Sequence, residues 1–548
     1  MNPRLLRSGG AVAPSFTIHP TPMHRTSRTI RSSAGAPRPE ESDRLLSQEW
    51  LVTNGLGGYA SSSLCGACTR RYHGLLVAAL PAPVGRTVML SHLGEALLLA
   101  DGRTVRLTAE ESGEGAVHWP GADMEFELAT GLPVWRYRVG ELVLEKSIVL
   151  PHGQNTVQVS YRLLRGAAAA RLLVRPSLHF RPHEAAVEPV SPSEYQHCVD
   201  GTRHEIRSRA RTELPALRLL VQGADAVFQP DEAAVREFRY RVEQARGYAH
   251  RGQVWSPGRW RIDLATGRDC ALVASTEPWE VALALEPGEV QQAELARRQN
   301  LIAQAHPALR AGIGAELVLA ADAFIVSPSA RQRDAQRAHA EGDEARTIVA
   351  GYHWFTDWGR DTMISLEGLA LVTGRHAEAG SILRTFQHYV RDGLIPNLFP
   401  EGENEGLYHT ADATLWFFHA MDRYLAYTGD TATLRRALPV FRSIVAHHLR
   451  GTRFGIGVDP ADGLLRQGAQ GYQLTWMDAK VDGWVVTPRR GKAVELNALF
   501  YNALRLMQQW LAREGDVQAA REMQAHAARL AESFNRRFWN PATGSLFD

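Results

Sequence analysis

The stretch EVQQAELARRQNLIAQA, residues 289–305, is where the chain changes period. Before Pro287 the apolar residues come in short alternating or β-branched runs; from Val290 onward they recur at helical spacing, and helix follows helix to the end. Strands and helices are therefore segregated along the chain, not interleaved, which predicts a multidomain protein with an all-β part followed by an all-α part.

Working upstream, strand-like runs fall at Tyr72 to Ala79, Leu142 to Leu150, Asn155 to Leu164, Ala170 to Val174 and Ala271 to Ser275, punctuated by Gly and Pro. A parallel sheet would need a crossover of a dozen or more residues between its strands, and none is present, so residues 47–288 read as an antiparallel β-sandwich. The run Asn54-Gly55-Leu56-Gly57-Gly58-Tyr59 lacks the GxxxxGK[ST] ending of a phosphate loop and reads as a glycine-rich turn. Arg70, Arg71, Tyr72 and His73 beside it either meet a ligand or line a domain interface. Cys65 and Cys68 have no second pair to complete a tetrahedral site, so neither a metal nor a cofactor is expected. Residues 1–46 begin with no acid before Glu40 and several Arg, a composition that predicts a disordered extension.

Downstream, residues 289–305 form a linker helix and residues 306–548 a helical domain. In His306 to Ile325 the residues Leu309, Ile313, Leu317, Leu319 and Phe324 can face a core; Ser327 to Arg346 reads as a charged loop. Further helices are predicted at Thr362 to Val372, His376 to Arg391, Ala411 to Thr428, Thr431 to Arg450, Lys492 to Ala512 and Val517 to Phe538. Short turns such as Gly429-Asp430 alternate with long polar-aromatic loops, 392–410 and 452–490. That alternation describes an (α/α) toroid of helical hairpins with its long loops on one rim.

Composition narrows the function. At 45% hydrophobic and 22% charged residues with net charge +2, the chain has no basic stripe after its first forty residues, so nucleic acid is excluded as a partner. No run approaches the roughly 20 apolar residues of a membrane span. Four cysteines in 548 residues make no disulfide scaffold, and a cytoplasmic setting is expected.

Three aromatic-acid clusters could do chemistry. The first runs from Trp354 through Asp357, Trp358, Arg360 and Asp361 to Thr362; Asp361 could simply cap a helix, but capping does not explain the tryptophans. Flat indole faces stack on sugar rings, while carboxylates and guanidinium take hydrogen bonds from and to vicinal hydroxyls. The second cluster carries Asn397 and ends in Asp412 and Trp416, four apart on one helix face, although a first-turn acid also suits the helix dipole. The third places Asp478 between Trp476 and Lys480; desolvation beside an indole would keep that carboxyl protonated, whereas a loop acid paired to Lys480 is the plainer alternative.

These segments, together with Trp50 to Gly55 and Arg71 to Leu75, resemble in their order the bacterial and archaeal glycogen-debranching proteins of the amylo-α-1,6-glucosidase type. The resemblance implies a β-sandwich followed by an (α/α)6 toroid that removes α-1,6-linked glucosyl stubs from glycogen or branched α-glucan oligosaccharides, inverting configuration with two carboxylates. It places the general acid on Asp478 and offers Trp354, Asp357, Trp358, Arg360, Asp361, Asn397, Asp412, Trp416, Trp476 and Lys480 as substrate-binding residues. A closed toroid has twelve helices and about seven are counted after His306, so an incomplete toroid, C-terminally truncated and with its base beyond Asp548, is expected. Two alternatives fit the same loops: another toroid glycosidase, glucoamylase-like or trehalase-like, and a non-catalytic glucan-binding protein.

Overall fold

The structure, a computed structural model, describes residues 29–166 and 170–548. Its amino-terminal part is built on antiparallel sheets. The largest has nine strands, running from Ile30–Ser32 at one edge through Asp123–Ala129, Leu132–Val139, Leu142–Val149 and Thr156–Arg165 to Cys270–Ser275, Leu217–Gln222, Arg203–Ser208 and Tyr195–Asp200. One five-stranded sheet holds the long strands Ala226–Arg239 and Arg251–Asp263; another holds Glu49–Thr53, Tyr59–Ser63, Gly74–Leu80 and Gly85–Leu90. Alternation explains the pairing: Met124, Phe126, Trp135, Tyr137 and Leu144 point into a common core, where Trp50 meets Trp135 edge-on at 5.4 Å.

Part of the expected disordered extension is ordered. Residues 1–28 lie outside the described residues, but Ile30 pairs opposite Phe126 on the edge of the large sheet. Helix Pro39–Ser47 starts with proline in its first turn, has Glu40 and Glu41 near its positive end, and buries Leu45 and Leu46. Two apolar anchors outweigh the polar composition around them.

The carboxy-terminal part is helical. Pro287–Gln304 leaves the sheets and is followed by Gly312–Asp322, Gly359–Leu366, His376–His388, Ala413–Thr428, Thr431–Arg450, Val494–Arg513 and Val517–Phe538. Asp430 and Asp516 cap two of these by accepting from the amides of Thr433 and Ala519, and Gly429 closes the preceding helix at φ 68°. Phe418, Phe441, Phe500 and Trp510 fill the core between them.

Two expectations are corrected here. Ile313 and Leu317 do not face the core: they are 67% and 59% exposed, because the packed face of Gly312–Asp322 carries the small residues Gly314, Ala315 and Ala321 with Val318 and Leu319. The segment 327–346 is not all loop, since Gln332–Ala340 forms a helix that buries only Asp334. Among the described residues no helix is long and apolar enough to cross a membrane.

Candidate active site

Helix Gly359–Leu366 begins one residue after Trp358, so Arg360 stands in its first turn with the side chain free to reach across to the neighbouring loops. The residue is 7% exposed, and its guanidinium gathers the site. Nε donates to Asp412 Oδ2 at 2.8 Å, Nη1 to Asp478 Oδ2 at 2.9 Å and Nη2 to the Thr475 carbonyl at 3.0 Å. Thr410 Oγ1 donates to the other oxygen of Asp412 at 2.8 Å. Three segments distant in sequence, 358–361, 410–412 and 475–478, are thus tied to one planar cation that cannot lose its charge.

Asp361 sits in the first turn of the helix, two residues past its start and not at the cap position, and its carboxylate takes a hydrogen bond from its own amide. Burial pushes its carboxyl above the usual range; Arg360 opposes this, and the carboxylates of Asp478 and Asp412 add to it. Asp412 does occupy the cap position of Ala413–Thr428, yet its side chain goes to Arg360 and Thr410 instead of the helix amides.

Around Asp478, Trp476 is 56% exposed, and Lys480 donates to the Gly471 carbonyl at 3.1 Å and makes no ion pair with Asp478 among the described residues. The acid keeps 27% side-chain exposure, so a hydroxyl or glycosidic oxygen can approach it. His409, half-buried, has its pKa lowered by burial, with Asp478 acting in the other direction; a neutral imidazole therefore stands within electrostatic reach of the acid.

The remaining expected residues divide. Asn397 is buried, its carbonyl accepting from Gly359 N at 2.7 Å, which locks the start of the Arg360 helix; its side-chain Oδ1 has no partner among the described residues. Trp416 is partly buried and meets His419 edge-on. Trp358 and Phe355 are in edge contact at 5.7 Å, and Phe355 is exposed. Asp357 is drawn away from the cluster: its carboxylate takes Arg331 Nη2 at 2.8 Å and Thr347 Oγ1 at 2.9 Å. Arg331 is buried over the Phe399 ring at 4.1 Å. Trp354 contacts the β part, beside Tyr72, Arg70 and Arg246.

Arg86, which sequence reasoning missed, supports this loop from the β part. Its backbone N and Nε donate to Glu401 at 2.7 and 2.9 Å, and Nη1 and Nη2 to the carbonyls of His353 and Phe355 at 3.0 Å each. Nothing in its strand Gly85–Leu90 marks it except a charge inside a buried run.

Two groups of side chains are close enough to ligate an ion: Glu49, His73 and His353, and His183, Glu184 and Glu401. In each a guanidinium already holds the carboxylate, Arg70 on Glu49 at 2.6 Å and Arg86 on Glu401 at 2.7 Å. Burial raises the Glu49 carboxyl, but hydrogen bonds and charge from His73 and Arg70 outweigh it and leave it at about 2.

Residues 319–548 match the family model described as amylo-alpha-1,6-glucosidase, and residues 48–271 the one described as glycogen debranching enzyme N terminal. A glycogen debranching enzyme of Saccharomyces cerevisiae is 28% identical in a match covering 30% of this chain and 15% of the yeast protein, so the matched segment is a small part of that relative. Among solved structures, a bacterial glucoamylase complexed with acarbose shares 9% identity at TM-score 0.44, covering 94% of this chain and 68% of the other. A putative kojibiose phosphorylase from human microbiome shares 8% at TM-score 0.42, covering 95% and 72%.

Proposed function

Because the chain belongs to the glycogen debranching enzyme family, with matches to both its amino-terminal and its amylo-alpha-1,6-glucosidase models, we propose that it is a cytoplasmic glycoside hydrolase removing α-1,6-linked glucosyl residues from branched α-glucans. The helical part is proposed as part of an (α/α)6 toroid packed on a β-sandwich, with the site at the rim where its long loops meet.

The observation that carries this reading is the convergence of Asp478, Asp412 and Asp361 on Arg360. In the proposed mechanism Asp478 gives its proton to the glycosidic oxygen as the bond to the anomeric carbon breaks. Water, activated by a second carboxylate on the opposite face, attacks that carbon and yields the inverted sugar. Asp361 and Lys480 offer hydrogen bonds to the hydroxyls of the glucosyl unit, while the buried Asp412 and Asn397 hold Arg360 and the start of its helix in place for binding. Trp358, Trp416 and Trp476 offer it ring faces. Asp357 acts at one remove, fixing the aromatic loop through Arg331.

Incubation with a phosphorylase limit dextrin tests the reading: free glucose is expected, appearing first as the inverted anomer by NMR. Glucose release from α-1,4 or α,α-1,1 substrates alone would transfer the site to another toroid glycosidase. Release from none of these substrates would refute hydrolysis.

A further inference from the structure

The loop between strands Ala226–Arg239 and Arg251–Asp263 belongs to the β part yet ends beside the aromatic loop of the candidate site. It is firmly tethered. Val242 N donates to the Thr69 carbonyl at 3.0 Å, Tyr248 N to the Glu243 carbonyl at 2.9 Å, and the buried Glu243 carboxylate accepts from Arg71 N at 3.3 Å. A tethered loop of this kind would be free to bury its tip, but it presents Arg246 and Tyr248 to solvent, the tyrosine 49% exposed.

Arg246 lies 5.4 Å from the Tyr248 ring centroid and 5.5 Å from that of Trp354. From Trp354 the rings continue to Phe355 at 6.1 Å and on to Trp358 at 5.7 Å, which immediately precedes the helix bearing Arg360. A row of aromatic side chains, tilted at Trp354–Phe355 and edge-on at Phe355–Trp358, thus runs from the carboxylate cluster to the β part, where Arg246 bridges Trp354 and Tyr248. Along it Arg70 and Arg71 are engaged by Glu49 and Glu243, while Arg246 has no ion pair among the described residues.

We infer that Tyr248 and Arg246 form, with Trp354 and Phe355, a binding track for an α-glucan chain leading to the candidate site; this rests on the hydrolase reading for its choice of ligand. Ring faces take the apolar faces of glucosyl units, and an unpaired guanidinium donates two parallel hydrogen bonds to adjacent hydroxyl oxygens. A polyphosphate ligand such as nucleic acid is disfavoured, because only one of the three guanidinium groups is uncompensated.

Retardation of the full chain in native gels containing glycogen tests the track without requiring turnover. Combined Tyr248→Ala and Arg246→Ala, both at exposed positions, is expected to weaken retardation roughly tenfold, and Tyr248→Phe, which keeps the ring, to restore it in the presence of Arg246. Unchanged retardation of the double variant, or no retardation of the wild type, overturns the track. A wild type that is retarded through these residues but releases no glucose supports the track and refutes hydrolysis. One that releases glucose while the double variant binds normally does the reverse.

Discussion

Arg360 donates from Nη1 to Asp478 Oδ2 at 2.9 Å, across 118 residues of sequence. With Asp412 on Nε, a single buried guanidinium serves two carboxylates and has a third, Asp361, beside it. Burial holds the Asp361 carboxyl above the usual range, with the charge of Arg360 opposing this and the charges of Asp478 and Asp412 adding to it.

Replacing Asp478 by Asn keeps the shape of the side chain and removes the proton. Glucose release from a limit dextrin is expected to fall by roughly 100- to 10,000-fold, while glycogen retardation in native gels stays near the wild type. Turnover near the wild-type level would remove Asp478 from the mechanism.

Asp361→Asn separates function from stability. Burial raises the Asp361 carboxyl, so its folded pKa lies above its unfolded one, and the ionised form costs stability as pH rises from about 4 through the raised value. The amide relieves that cost. The melting temperature of Asp361→Asn is expected to exceed that of the wild type at pH 7, with the difference shrinking toward pH ~4, while kcat/KM falls. A variant that melts earlier at pH 7 would show that Asp361 is held by interactions favouring its charge.

Much of this was legible where a short-range signal existed. Thr431–Arg450 and Val517–Phe538 appear with the expected bounds because Asp430 and Asp516 are caps visible in the sequence. Gly359–Leu366 starts three residues earlier than expected because Asp361 looks like a cap but is not one. Arg360, Asp412 and Asp478 were each identifiable by their aromatic and acidic neighbours, and the structure brings all three together. Their common partner was not readable, since no local pattern says which of 61 basic residues an acid will meet. The same limit hid Arg86 and sent Asp357 to Arg331 instead of the cluster. The exposed Ile313 and Leu317 show that helical spacing identifies a face without saying what covers it.

Arg86→Ala removes the three side-chain hydrogen bonds to Glu401, His353 and Phe355 and leaves Glu401 without its cation. The backbone donor survives, so the loss falls on the side-chain contacts. A cost of about 3 kcal/mol is expected, read as an earlier urea transition, together with a lower kcat because the loop leading to Arg360 loosens. Arg86→Lys cannot reach both carbonyls and Glu401 at once and should recover only part of the loss. An unchanged transition with unchanged kcat would show that the β part does not position the loop.

Asp322 sets an acid limit on the junction between the two parts. Its carboxylate takes Arg297 Nη2 at 2.6 Å and Arg375 Nη1 at 2.6 Å, joining the helices Pro287–Gln304 and Gly312–Asp322 to the start of His376–His388. Burial raises the Asp322 carboxyl, but hydrogen bonding and charge from Arg297, then the charge of Arg375, prevail and bring it to about 2. A folded pKa below the unfolded value stabilises at pH above about 4 and loses that contribution as pH falls toward 2. The melting temperature is therefore expected to drop steeply below pH ~4, and Asp322→Asn should melt several degrees earlier than the wild type at pH 7 yet show a flatter fall in acid. If the two proteins lose stability in parallel between pH ~5 and pH ~2, the acid limit arises elsewhere, and the Asp322 bridge contributes its geometry without its charge.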